Sequence, residues 1–77
     1  MMTNTEIGAH VLEFIDAIET RNLEAQGDKA CLFTWAIDHG EIANPEVAAR
    51  IDAANSTEDD AAAIAHLRAA LELLGTK

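Results

Sequence analysis

Three histidines and a single cysteine are the side chains of this 77-residue chain that could hold a metal or act as a nucleophile: His10, Cys31, His39 and His66. Zinc sites draw their ligands from close sequence pairs, because two ligands about one helical turn apart enter one coordination sphere with little loop ordering. None of these four has such a neighbour and no HExxH arrangement occurs, so no metal is expected. Cys31 follows Asp28 and Lys29 in what reads as the first turn of a helix, a setting that can activate a thiol. A free cysteine is far more often a small buried hydrophobe, and that is the role expected here. Gly8, Gly27, Gly40 and Gly75 are isolated rather than gathered into a phosphate-cradling loop. No nucleophile, base and oxyanion donor can be assembled, so neither catalysis nor a cofactor is expected.

Carboxylates are the abundant chemistry. Fourteen Asp and Glu stand against five Lys and Arg, a formal charge of -9 on a chain whose hydrophobic fraction is an ordinary 49%. Nucleic acid is an unsuitable direct partner, since bound phosphates have to be neutralised by basic groups. If the first helix runs as far as Gln26, Glu6, Glu13 and Glu24 project within about 20° of one another opposite the core, with Asp16 farther round. A second group, Glu58, Asp59 and Asp60, fills the first turn of the last helix, where acids answer the helix dipole. These seven residues are the expected partner-binding set, and the partner they fit is another protein with a basic surface. Solubility alone also predicts acids on outer faces. The narrower alternative is that the acids imitate a row of phosphates and occupy a basic channel, as small anti-restriction and anti-CRISPR inhibitors do; the analogy is one of charge alone.

One stretch resembles a helix-turn-helix. Ala36-Ile37-Asp38-His39-Gly40-Glu41-Ile42 followed by Pro45-Glu46-Val47-Ala48-Ala49-Arg50-Ile51 has a small residue four before the turn glycine and apolar residues after it. Val47 falls one residue later than that motif's usual spacing, and the second helix sets Glu46 and Asp52 against a lone Arg50. A DNA reader needs basic groups there, which makes DNA binding the least favoured of the three readings.

The elements that carry these residues are all helical, because β-branched and aromatic residues never alternate over a strand-length window. Thr3 and Glu6 have the spacing of a capping box, opening a long first helix that is expected to stop before Gly27. Its inward stripe is Ile7, Val11, Phe14, Ile15 and Ile18. Asp28 is expected to cap a short second helix ending at His39-Gly40; Leu32, Phe33, Ala36 and Ile37 form one face and Trp35 flanks it, so this helix should lie centrally and be touched on several sides. Asn44-Pro45-Glu46 is the strongest start signal, combining a cap, a proline at the first helical position and an acid at the positive end. Val47, Ile51 and Ala54 are its buried stripe. The fourth helix runs to about Leu74 before Gly75, with Ile64, Leu67, Leu71 and Leu74 inward and Ala63 and Ala70 at the edge.

The chain therefore reads as one all-α domain over residues 1–77, a small bundle of two long and two short helices. Sixteen residues are alanine, so few large apolar side chains are left to build a core. Chains this small usually need a disulfide, a metal or self-association, and one cysteine excludes an internal disulfide. The outer side of the last helix carries Ala62, Ala65, Ala69 and Leu73 at three- and four-residue spacing, where a monomer would usually place charge. Those four residues are the expected self-association face of a homodimer. No signal-peptide pattern and no apolar run of about 18 residues occurs, which points to a cytoplasmic protein that does not enter the membrane.

Overall fold

Thr3 opens the first helix with a complete capping box: its hydroxyl accepts from the Glu6 N–H at 3.1 Å, and the Glu6 carboxylate accepts from the Thr3 N–H at 2.9 Å. The computed structural model describes residues 1–75, which fold into four helices, α1 (Asn4–Glu19), α2 (Leu23–Asp38), α3 (Pro45–Ser56) and α4 (Asp60–Leu74), with no strand among the described residues. The expected α-class and the number of helices are both found.

The expected end of the first helix is wrong. α1 stops at Glu19, not near Gln26, and α2 begins at Leu23, upstream of Asp28. Polar side chains make the break. The Thr20 hydroxyl donates back to the Asp16 carbonyl at 2.8 Å, Arg21 adopts a left-handed φ of 57°, and the Asn22 carboxamide caps α2 by accepting from the Ala25 N–H at 3.1 Å. Such a cap contributes about 1 kcal/mol. Gly27 lies inside α2 rather than at a terminus, and Asp28 caps nothing. The helices accordingly have 16, 16, 12 and 15 residues, so the division into two long and two short elements does not hold.

The remaining boundaries follow the sequence signals closely. α2 closes in a Schellman turn, with Gly40 at φ +67° and the Glu41 N–H bonded to the Ala36 carbonyl at 2.8 Å. Asn44 caps α3 by accepting from Glu46 N–H at 2.9 Å and Val47 N–H at 3.4 Å, with Pro45 at the first helical position. Gly75 ends α4 at φ +76°.

Each helix packs on two neighbours in a ring: α1 on α2, α2 on α3, α3 on α4 and α4 on α1, the last two helices forming the most extensive pairing. The core inside this ring includes the whole expected α1 stripe, together with Phe33, Ala36, Ile42, Val47, Ile51 and Ala54. Phe14 and Phe33 stack with ring centroids 6.1 Å apart. α4 is rotated from its expected orientation: Ala63, Leu67, Ala70 and Leu71 are buried, while Ile64 and Leu74 are only partly covered. Small residues let α3 and α4 approach closely, and the larger Ile64 is left at the margin. α2 is not central either. With only α1 and α3 against it, its outer half faces water, including Cys31 and Trp35. No described helix is long and apolar enough to cross a membrane.

Gly27 offers a direct test of this chain path. A Cβ built there meets nothing within 4 Å, and its φ is not left-handed. Gly27→Ala should therefore stabilise the protein by about 0.5–1 kcal/mol through helix propensity and a less flexible unfolded chain. The midpoint of thermal unfolding followed by circular dichroism should rise by several degrees; a helix terminus at Gly27 would give a fall instead.

Candidate functional site

The acids expected to form one row on the first helix are dispersed by the reversal at residues 20–22. Glu24 lies in the first turn of α2, not on α1, so it cannot extend a row through Glu6 and Glu13. The Glu6 carboxylate is engaged in the capping box. Hydrogen bonds from the Thr3 backbone and then the Thr3 side chain hold its pKa below the ordinary glutamate value. Glu13 meets Lys29 Nζ at 3.3 Å, and the same ammonium lies 2.9 Å from His10 Nδ1. An ammonium can only donate, so Nδ1 is the acceptor in that contact. The ring also stands edge-on to Phe33, with centroids 6.4 Å apart. His10, Glu13 and Lys29 thus tie α1 to α2.

Asp16 is exposed and forms no ion pair among the described residues. It borders a shallow cleft of about 390 Å³ between α1 and α2, whose walls include Leu12, Ala17, Ala25 and Lys29. Glu58, Asp59 and Asp60 do not all fill the first turn of α4 as expected: the helix starts at Asp60, Asp59 occupies the cap position without a side-chain cap bond, Glu58 precedes it, and all three are exposed. Asp60 also borders a second cleft, of about 230 Å³, lined by Phe14, Gly27, Ala30 and Asn55. The Asn55 amide reaches the Ala30 carbonyl at 3.5 Å, while its buried Oδ1 has no protein partner.

On α4, Ala65 and Leu73 are exposed, Leu73 to 41%, whereas Ala62 and Ala69 are half-buried at the sides of the helix. Arg68 reaches Glu19 at 3.8 Å and His66 lies 3.4 Å from Arg50, so charge stays at the edges of that face. Arg50 is the one basic residue of the second helix of the helix-turn-helix-like segment; it is exposed, with its guanidinium 3.4 Å from His66 on α4.

A surface not anticipated from the residues is the outer face of α2. Glu24, Asp28, Cys31, Trp35 and Asp38 follow one another at three- and four-residue intervals, and all five are exposed. Trp35, the only tryptophan, is 50% exposed. The His39 ring stacks on it at 4.8 Å and 24°, and His39 Nδ1 lies 2.8 Å from the Trp35 carbonyl. The spacing signal was present in the sequence, but it becomes one continuous face only when the helix starts at Leu23. Cys31 is consequently in mid-helix and in solvent, neither in a first turn nor a buried hydrophobe.

His10, Cys31 and His66 have separate neighbours, and among the described residues no three His, Cys, Asp or Glu side chains are placed to hold a metal ion. No family model matches this chain, and no curated protein or solved structure matches it either. What defines the molecule is an all-α four-helix architecture with two uncommitted surfaces, one acidic and aromatic on α2 and one small and apolar on α4.

The structural role of Glu6 can be tested by titration. A glutamate whose folded pKa is depressed contributes stability that is present above its unfolded value, about 4.3, and is lost as pH falls through the folded value. Thr3→Val removes the hydroxyl acceptor and weakens the box. The Glu6 carboxyl midpoint measured by NMR should then move up toward the ordinary range; the acid-side loss of stability, which sets in near the unfolded value in both proteins, should be smaller in the variant and complete at higher pH.

Proposed function

We propose that this protein is a small non-catalytic binding module, an accessory subunit or an inhibitor, whose helix surfaces engage another protein that presents basic groups. The observation that supports this reading is how charge is used within the fold. Lys29 meets Glu13, Arg68 meets Glu19 and Arg50 lies beside His66. Asp16, Glu24, Asp28, Asp38, Asp52 and Asp60 are exposed with no ion pair among the described residues. Most of the -9 charge therefore faces outward uncompensated, which attracts cationic surfaces and repels phosphate.

The phosphate-mimicking version of this role loses the row it was built on, because Glu6 and Glu13 have structural partners and Glu24 is on another helix. Acids on α2 and at the start of α4 would have to carry it. Screening provides the test. The Debye length falls from about 10 Å at 0.1 M salt to about 3 Å at 1 M, so a partner captured through these acids should lose affinity by roughly tenfold or more across that range. Surface plasmon resonance against the captured partner measures it, and a salt-indifferent complex would overturn the reading. DNA should show no salt-sensitive retention.

Self-association is the second reading, favoured by the exposure of Leu73 beside Ala65 on an uncharged strip. A homodimer through Ala62, Ala65, Ala69 and Leu73 should sediment at twice the monomer mass at tens of micromolar. Ala65→Glu places a charge at an exposed position, so it should return the monomer without loss of helix content. A monomer mass for the unaltered chain excludes the dimer.

A further inference from the structure

We propose that the outer face of α2 docks an arginine-bearing segment of the partner, with a guanidinium stacked on Trp35 and neighbouring cations paired to Glu24, Asp28 and Asp38. This rests on the reading that the partner is basic, and it states where and by what chemistry it is held.

At 100° per residue Glu24, Asp28, Cys31, Trp35 and Asp38 fall within roughly 80° of arc, and they extend over about 21 Å of helix. That is a continuous strip rather than a scatter. An indole is usually covered, because it brings a large apolar area that water solvates poorly. Here the chain's one tryptophan is half in solvent, on the side of α2 that neither α1 nor α3 covers. It is also held in place. The contact of His39 Nδ1 with the Trp35 carbonyl at 2.8 Å fixes the imidazole, which stacks on the indole at 4.8 Å and reduces the freedom it has to lose on binding.

The charge around the indole selects the occupant. Among the described residues Glu24, Asp28 and Asp38 form no ion pair. Lys29, the only basic residue of α2, is turned away from this strip toward Glu13 and His10 on α1. An exposed aromatic ring flanked by unpaired carboxylates is complementary to a cation that can both stack and donate hydrogen bonds. Arginine does both: its planar guanidinium lies flat on an indole and its fork of donors matches carboxylates, whereas lysine supplies a compact, strongly hydrated charge. A second copy of this chain would oppose acids to acids, and nucleic acid would oppose phosphates to them.

Octa-arginine, octa-lysine and a neutral Gly-Ser octapeptide, each titrated at 50 mM salt, test the proposal, with Trp35 emission and calorimetry as independent readouts. Octa-arginine should change the emission saturably and bind more tightly than octa-lysine, and the neutral peptide should do neither. The variant Glu24→Gln/Asp28→Asn/Asp38→Asn should weaken octa-arginine by about tenfold, as expected for three exposed ion pairs. A charge-matched control, Glu58→Gln/Asp59→Asn/Asp60→Asn, should weaken it by less than about twofold if exposed pairs act locally. Trp35→Ala, followed by calorimetry, should cost about two- to fivefold and bring the two cationic peptides level. Equal weakening in both triple variants, or binding without a change in Trp35 emission, overturns the α2 site while leaving a basic partner in place. Absence of any heat with either cationic peptide overturns the basic-partner reading itself. Circular dichroism of each variant should match the parent, since every altered side chain is exposed.

Discussion

The reversal at Thr20, Arg21 and Asn22 is the constraint on which the rest of this fold depends. The Ala17 carbonyl anchors it, accepting from the Asn22 N–H at 2.9 Å and from Gln26 Nε2 at 3.1 Å. Arg21 in the left-handed region costs about 1–2 kcal/mol for a residue with a Cβ, and that strain is tolerated only because the turn delivers something larger. It sets Phe33 against Phe14, brings Lys29 to Glu13 and His10, and turns the acidic strip of α2 outward. A helix continued through this point would carry the start of α2 away from the core and leave Phe33, now fully buried, without a partner face.

The core that results is selected by shape rather than by polar pairing, for among the described residues no polar or charged one is buried within it. Its large members, Phe33, Ile7, Ile51, Leu67, Val11 and Val47, come from all four helices. Alanine fills the remaining positions. Ala54, Ala63 and Ala70 are inside the cluster because α3 and α4 lie close together, and a larger side chain at any of them would force the pair apart or off rotamer. Alanine has two uses in this molecule: inside, it sets the approach distance of helices; outside, at Ala65, it sustains helix propensity without adding charge.

How much could be read from the residues depended on whether a signal was local. The capping box of α1, the Asn-Pro-Glu start and the glycines closing α2 and α4 act within one turn, and each appears where the sequence places it. The stripe from Ile7 to Ile18 was equally legible, since a helical period with no interruption has one buried side. What misled was competition between two stop signals. Gly27 looked like the terminator, yet Thr20 and Asn22 offered hydrogen bonds that a glycine cannot, and those won. One misplaced boundary then shifted Glu24 to another helix, moved Cys31 from a first turn to mid-helix, and hid the α2 strip. Which side of α4 faces inward is a different kind of miss: Ile64 and Ala63 are adjacent, and only the close packing of α3 selects the smaller.

The same boundary changes what the acidity means. Near α1 the carboxylates are largely used by the fold, Glu6 in a cap, Glu13 with Lys29 and Glu19 with Arg68. On α2 the acids have no ion pair among the described residues and lie on the same face as an aromatic ring instead. An exposed ion pair contributes little to stability, so the Glu13–Lys29 pair matters chiefly because it draws the one basic side chain of α2 toward α1. Lys29 makes the point. Were it directed outward it would neutralise Asp28 or compete for the indole of Trp35; held by His10 and Glu13, it leaves both available to a cation from elsewhere. The charge of this chain is thus sorted by the fold into a part that closes the bundle and a part that faces solvent, and the turn at residues 20–22 does the sorting.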